Sequence, residues 1–246
     1  MNKLIITITF FAILFANVKA EFLKNSSFAI GLSTTTILGS NPGGKPIVPS
    51  SDSDPIVIGG GFYGSQPGLE MRYTIPIDED NNWRIPIGID YQFFMAKERL
   101  PEGKYIEDKI THTMNLITPY VGISYVLQNL KYLKAKTYVS FEMRATMLRN
   151  IDYRLQRDYF YINALDTTIV FKTKSEATRL GGVIRVGVEG YLFEPLQLNA
   201  SVGLSIMNIV GRDNSRYELL TPLTYLETKE SYVYNLNISI LFQYSF

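Results

Sequence analysis

The sequence predicts an all-β fold, an eight-stranded antiparallel up-and-down transmembrane β-barrel with long extracellular loops and short periplasmic turns. Three observations lead there. The chain opens on an export signal. Eight later stretches alternate large apolar residues with small or polar ones at period two, as a strand with unlike faces must. The connections between those stretches are alternately short and long.

The opening stretch "MNKLIITITFFAILFANVKA" carries Lys3, an apolar run from Leu4 to Phe15, and closes on Val18-Lys19-Ala20. That is the layout of a signal peptide over residues 1–20, leaving residues 21–246 as the barrel domain. The run is short of the ~20 residues a spanning helix needs. No later apolar run is long enough either, so helical spans are excluded.

The strands follow in order. "FAIGLST" (28–34) sets Phe28, Ile30 and Leu32 against Ala29, Gly31 and Ser33. "GLEMRYTIPI" (68–77) sets Leu69, Met71, Tyr73, Ile75 and Ile77 against Glu70, Arg72 and Thr74. After the polar turn "DEDNN", "WRIPIGIDYQFF" (83–94) alternates Trp83, Ile85, Ile87, Ile89, Tyr91 and Phe93 with Arg84, Gly88, Asp90 and Gln92. "NLITPYVGISYVL" (115–127) and "TYVSFEMRATM" (137–147) continue the rhythm, the second placing Glu142 and Arg144 on its non-apolar face. "GGVIRVGVEGYL" (181–192) does the same with Arg185 and Glu189. "LQLNASVGLSI" (196–206) and the terminal "SYVYNLNISILFQYSF" (231–246) complete the eight. Short connections are expected near 78–82, 128–134 and 193–195, and long ones near 36–55, 96–113, 149–178 and 211–230.

Composition narrows the partners. A formal net charge of +1 gives no field for nucleic acid. The absence of Cys removes disulfides, thiolate metal sites and Cys nucleophiles.

Alternation alone does not say which face meets lipid. A soluble lipocalin-like barrel would hide the apolar face that a membrane barrel exposes. The other face favours lipid outside: it holds Gly, Ser, Thr, Asn and Gln with Glu70, Arg72, Arg84, Asp90, Glu142, Arg144, Arg185 and Glu189. Aromatics also gather at strand ends, Trp83, Tyr125, Phe242, Tyr244 and Phe246 at one rim and Tyr91, Phe93, Tyr232 and Tyr234 at the other. Two such bands match interfacial girdles. With "GLEMRYTIPI", "TPYVGISY" and the closing "LFQYSF", the chain resembles the small outer-membrane β-barrels: the OmpA transmembrane domain and the OmpX-, OmpW- and PorT-like proteins. The resemblance implies a Gram-negative-type outer membrane, its lipid as surroundings, and a terminal assembly signal at Phe242, Tyr244 and Phe246 for the barrel assembly machinery.

Eight strands leave an interior barely wide enough for side chains. The four acids and four arginines would therefore pair and close the lumen rather than line a pore. The expected function is structural or surface-interacting, with long loops free to contact extracellular surfaces or ligands. A narrow porin-like channel, or a transporter of a small hydrophobic solute, is the alternative.

No catalytic, cofactor or metal residue is expected. Gly59-x-Gly61-x-x-Gly64 has dinucleotide-binding spacing but leads into Pro67, Gly68 and a strand, not a helix. His112 is the single histidine and is expected at a loop edge. Lipid A deacylases of similar barrel size carry His and Ser two residues apart, whereas here Met114 takes the Ser position. Asp52 and Asp54 are read as solvated rather than as calcium ligands. Tyr153, Arg154, Arg157, Tyr159, Phe160 and Tyr161 form the candidate loop contact surface, with Phe171, Lys172 and Lys174 following. The alternative is that strands five and six project past the membrane and these aromatics pack the projection, since "TTIVFKTK" alternates like a strand.

Overall fold

The computed structural model describes residues 25–39, 42–44, 61–130, 132, 134–162, 165–170, 174–213 and 230–246. The stretch read as a signal peptide lies outside the described residues, as do Asp52, Asp54, Gly59, Phe171 and Lys172.

Alternating sequence gives strands throughout: β1 (Ser27–Ile37), β2 (Gln66–Pro76), β3 (Trp83–Pro101), β4 (Ile106–Leu130), β5 (Ala135–Tyr159), β6 (Thr167–Val170), β7 (Glu176–Phe193), β8 (Leu196–Val210) and β9 (Tyr234–Ser245). The helical content among the described residues is a 3-10 turn at Pro42–Gly44 and single 3-10 positions at Tyr132 and Leu165. β1 pairs with both β2 and β9, and β4 pairs with β5, so all strands except β6 close an antiparallel ring of eight. Closure removes every free edge from the ring. β6 pairs with the far part of β5 and stands outside it.

Side chains sort inside-out relative to a soluble protein. Leu32, Val186, Leu204, Ile240 and their neighbours are exposed on the outer face, while Glu70, Arg72, Asp90, Glu142 and Arg185 are buried within. This settles which face meets lipid: the apolar one lies outside. The belt has the right height. From Tyr234 to Tyr244 the strand rises about 33 Å, or about 25 Å along the barrel axis at a ~40° tilt. At the short-turn rim the rings of Trp83 and Tyr125 lie 4.7 Å apart and those of Tyr244 and Phe246 5.2 Å apart. Tyr232 and Tyr234 mark the opposite rim, 6.4 Å apart. The molecule is an eight-stranded transmembrane β-barrel.

The structure corrects two of the long connections. Residues 96–101 and 106–113 are strand, so what was read as a loop over 96–113 is a tight turn at 102–105, where Gly103 takes φ 79°. Likewise β5 runs on to Tyr159 and β6 occupies part of the 149–178 connection, as the projecting-strand alternative expected. The strict short–long alternation therefore fails. Past the belt the alternation persists with its phase inverted: Lys97, Thr111 and Thr113 face outward, and Ala96, Ile110 and Met114 are buried inside. Above lipid the outer face meets water, so polar residues belong there. On β5 a bulge makes the same switch, with one extra residue between Arg149 and Asp152 against Asn115 and Thr113, and Asn150 at φ 52°.

Candidate functional site

The lumen is stacked in layers, each built from inward positions of several strands. At the short-turn end, Arg84 of β3 reaches across to Glu189 of β7, Nη1 to Oε1 2.5 Å. A polar vestibule of about 290 Å³, lined in part by Lys136, Glu194 and Gln197, opens outside this pair.

The middle layer holds three acids and three arginines. Arg72 donates to Glu70 at 2.6 Å. Arg144 donates to Glu142 at 2.7 Å and lies 3.6 Å from Asp90. Arg185 touches both carboxylates, its Nε 2.9 Å from Glu142 and its Nη1 3.3 Å from Glu70. The same guanidinium donates to Ser201 at 3.0 Å and Ser239 at 2.7 Å. From β7, Arg185 thus reaches β2, β5, β8 and β9. Ser33 donates to Asp90 at 2.7 Å, and Ser140 to Glu142 at 3.2 Å. Buried charge survives only with such partners.

Sequence reading missed the two tyrosines that finish this layer. Tyr120 donates to Glu70 at 2.5 Å and accepts from Arg72 at 3.1 Å. Tyr138 accepts from Arg72 at 3.0 Å and donates to Asn199 at 2.8 Å. Asn199, Gln243 and Glu189 then carry the hydrogen bonds down to the Arg84 pair. A signal existed. Tyr120 lies across from Gly88 and Tyr138 across from Gly187. A Cβ on either glycine would sit 2.5 Å from the tyrosine Cζ. An inward glycine marks the place where its neighbour lays a ring over the backbone.

The gaps between layers are small. Below the middle layer a space of about 10 Å³ remains, and above it one of about 20 Å³. Each is of the order of a single water.

An apolar layer follows towards the long-strand rim: Ile37, Phe94, Met114, Leu116, Leu148, Met207 and Val233 around Phe62. Phe62 descends from the segment after the first long loop, its backbone N–H bonding Gly43 at 2.9 Å. Its ring lies 5.4 Å from Phe94 and 4.5 Å from His112. His112 is therefore not a loop-edge residue. It sits fully buried on β4 between Phe62 and Tyr153. The inverted phase above the belt turns it inward, beside Met114.

The candidate contact residues do not share one surface. Tyr153 is fully buried, a correction with the same cause as His112, and burial pushes its hydroxyl pKa up. Arg157 is held by Asp108 at 2.7 Å and Glu102 at 3.0 Å. Its hydrogen bond to Asp108 leads in raising the guanidinium pKa further. Tyr159 is half-buried. Arg154 is exposed beside Thr111, at the level of Lys97, whereas Phe160 and Tyr161 are exposed at the far tip, where Tyr105 joins them with its ring 4.8 Å from Tyr161. A second unforeseen cluster ties the start of β9 to β7: Arg179 binds Glu230 at 2.7 Å and Asp213 at 3.1 Å, and Lys174 also pairs with Asp213.

Phe242, Tyr244 and Phe246 face outward at the short-turn rim. Gly61 and Gly64 precede a strand, so the glycine spacing lacks the helix that nucleotide binding needs.

Neither a family model nor a curated protein matches the chain. Among solved structures it is similar to Neisserial surface protein A, at 12% identity and a TM-score of 0.45, covering 90% of this chain and 97% of that one. It is also similar to Ail, the attachment invasion locus protein of Yersinia pestis, at 8% identity and a TM-score of 0.35, covering 90% and 98%. At such scores these likenesses add no weight, and the fold rests on the closed ring itself.

Proposed function

We propose that the chain is an outer-membrane barrel with a structural or surface-interaction role and a lumen sealed to ions. Its long strands face the exterior, and its N- and C-termini and short turns face the periplasm. The observation that carries this reading is Arg185, a single guanidinium in contact with Glu70, Glu142, Ser201 and Ser239 on four other strands. A group holding five strands by one charge cross-braces the ring and fills its centre. In this reading residues 1–20 direct export. Phe242, Tyr244 and Phe246 present the assembly signal to the barrel assembly machinery. The exposed Tyr105, Phe160 and Tyr161 at the tip are the surface offered to extracellular partners, with Arg154 exposed lower on the same projection.

The test is single-channel recording of the refolded protein in planar bilayers, with folding verified by a heat-shifted gel band. A folded, silent barrel is expected. Steady ohmic steps would sink the sealed lumen and put the channel reading in its place.

A further inference from the structure

The outer face of β3 passes from apolar to basic within a few residues. Tyr91, Phe93 and Met95 are exposed in the belt, and the next two outward positions are Lys97 and Arg99, both exposed. At about 3.3 Å per residue and a ~40° tilt, these stand roughly 5 and 10 Å above Met95. The headgroup layer on each side of the hydrocarbon is about 5–7 Å thick. The two cations therefore stand at headgroup depth or just above it, with side chains long enough to reach into the layer.

Their neighbours leave them uncommitted. Across β4 and β5 the same face carries acids, each already engaged. Asp158 and Glu107 pair with Lys109, Asp152 with Arg154, and Glu176 with Arg149. Asp158 lies within electrostatic reach of Arg99 but hydrogen-bonds Lys109. Lys97 and Arg99 form no ion pair with any described acid. Opposite Lys97 stands Thr111, a hydroxyl on the same outward face.

We propose that Lys97 and Arg99 bind the phosphate of an anionic lipid headgroup at the outer rim of the barrel. This rests on the membrane-barrel reading above. Continuity with the belt selects lipid over free phosphate: acyl chains lying on Tyr91, Phe93 and Met95 deliver the phosphate to this height. The site would add an oriented lipid contact on the side where the sheet of β3, β4 and β5 leaves the membrane.

The experiment is native mass spectrometry of the refolded protein from micelles, titrated with phosphatidic acid or phosphatidylcholine at low ionic strength. Each basic residue near an anionic surface contributes about fivefold, so Lys97→Gln/Arg99→Gln should weaken phosphatidic acid about thirtyfold. Phosphatidylcholine binding should be unchanged, and Lys104→Gln, a charge removed from the turn at the tip, should leave phosphatidic acid binding as it was. Each single variant should lose about fivefold, which keeps the test open if the double variant folds poorly. Equal phosphatidic acid affinity in wild type and both single variants would overturn the proposal. So would an equal loss in Lys104→Gln, which would reduce the effect to overall charge. Inorganic phosphate binding as tightly as the lipid, and lost in the same variants, would overturn the lipid assignment. A wild type with no heat-shifted band would overturn the membrane-barrel reading instead.

Discussion

Glu142→Gln is the sharpest probe of the lumen. The carboxylate holds Arg144 at 2.7 Å and Arg185 at 2.9 Å, and it is fully buried. The middle layer then changes from three acids against three arginines to two against three. Only spaces of about 10 and 20 Å³ lie beside it, room for about one water each, so bulk water does not reach the uncompensated charge. Removing one partner of a buried pair costs about 3–5 kcal/mol, and the lower end applies because the glutamine oxygen still accepts one hydrogen bond. Arg144→Met on the same background restores the balance at two against two. The two changes should therefore be strongly non-additive, with a coupling of about 2 kcal/mol against the ~0.5 kcal/mol scatter of independent sites. Urea unfolding in phosphatidylcholine vesicles reads this through Trp83, the single tryptophan, which faces lipid at the rim and loses that environment on unfolding. Additive changes, or a Glu142→Gln cost below about 1 kcal/mol, would mean that the layer is hydrated and that the sealing argument is wrong.

Four further outcomes are expected. Gly88→Ala places a Cβ 2.5 Å from Tyr120 Cζ and 2.4 Å from the Met71 carbonyl oxygen, and overpacking of this kind should cost about 1–3 kcal/mol in the same unfolding assay. Val186→Arg, on the lipid face beside Val139 and Val202, should cost about 2–4 kcal/mol, whereas the same substitution at Thr111 above the belt should cost little. Phe62→Ala should release the segment around residues 61–65, seen as faster amide exchange there, and leave the bilayer silent because the charged layer beneath is intact. The last concerns pH at the tip, where the Lys109 hydrogen bond, followed by that of Gln156, holds Asp158 below its ordinary 3.8. A carboxylate depressed in this way stabilises the folded tip above 3.8 and loses that contribution as pH falls below it, so protease nicking of the β4–β5 projection should rise only in that acid window.

How far the fold could be read depended on lipid. Inside the belt, one face must be apolar and the other must fit a narrow lumen, so Leu69, Met71 and Tyr73 against Glu70 and Arg72 state both the strand and its orientation. The eight charges could be read for the same reason, because nothing but an inward position tolerates them among such neighbours. What could not be read was pairing. Arg72 sits two residues from Glu70 and 2.6 Å away, but Arg185 meets Glu70 across the barrel at a separation of 115 residues. Only register brings such residues to one level, and register follows from the closed ring as a whole.

The misread loops have one cause, and it bears on function. From Ile110 to Leu127 the apolar residues of β4 change sides at Leu116 and Ile117, and the strand continues unbroken. Periodicity survived there, but its phase reversed because the outer solvent changed from hydrocarbon to water. A reader following the lipid-facing phase loses the strand at the membrane surface and names the rest a loop. Taken in the other direction, the reversal is a depth gauge. On β4 it falls at Ile117, on β3 beyond Met95, and on β5 at the bulge beside Asn150. The β4 and β5 levels agree, since Ile117 faces Met147, whereas on β3 the apolar outer face runs about four residues further, Phe93 and Met95 lying opposite Asn115 and Thr113. On β3 itself the reversal places Lys97 and Arg99 just outside the hydrocarbon, and Tyr105, Phe160 and Tyr161 lie far beyond it. The same line also divides the interior, with the charged layers at membrane depth and the apolar layer of Phe62, Phe94 and Leu148 towards the projecting end. A conducting pore would need a polar path through that apolar layer as well as through the arginines below it. Opening either layer alone would leave the other closed, so the two layers together support the proposed silence towards ions more strongly than lumen width does.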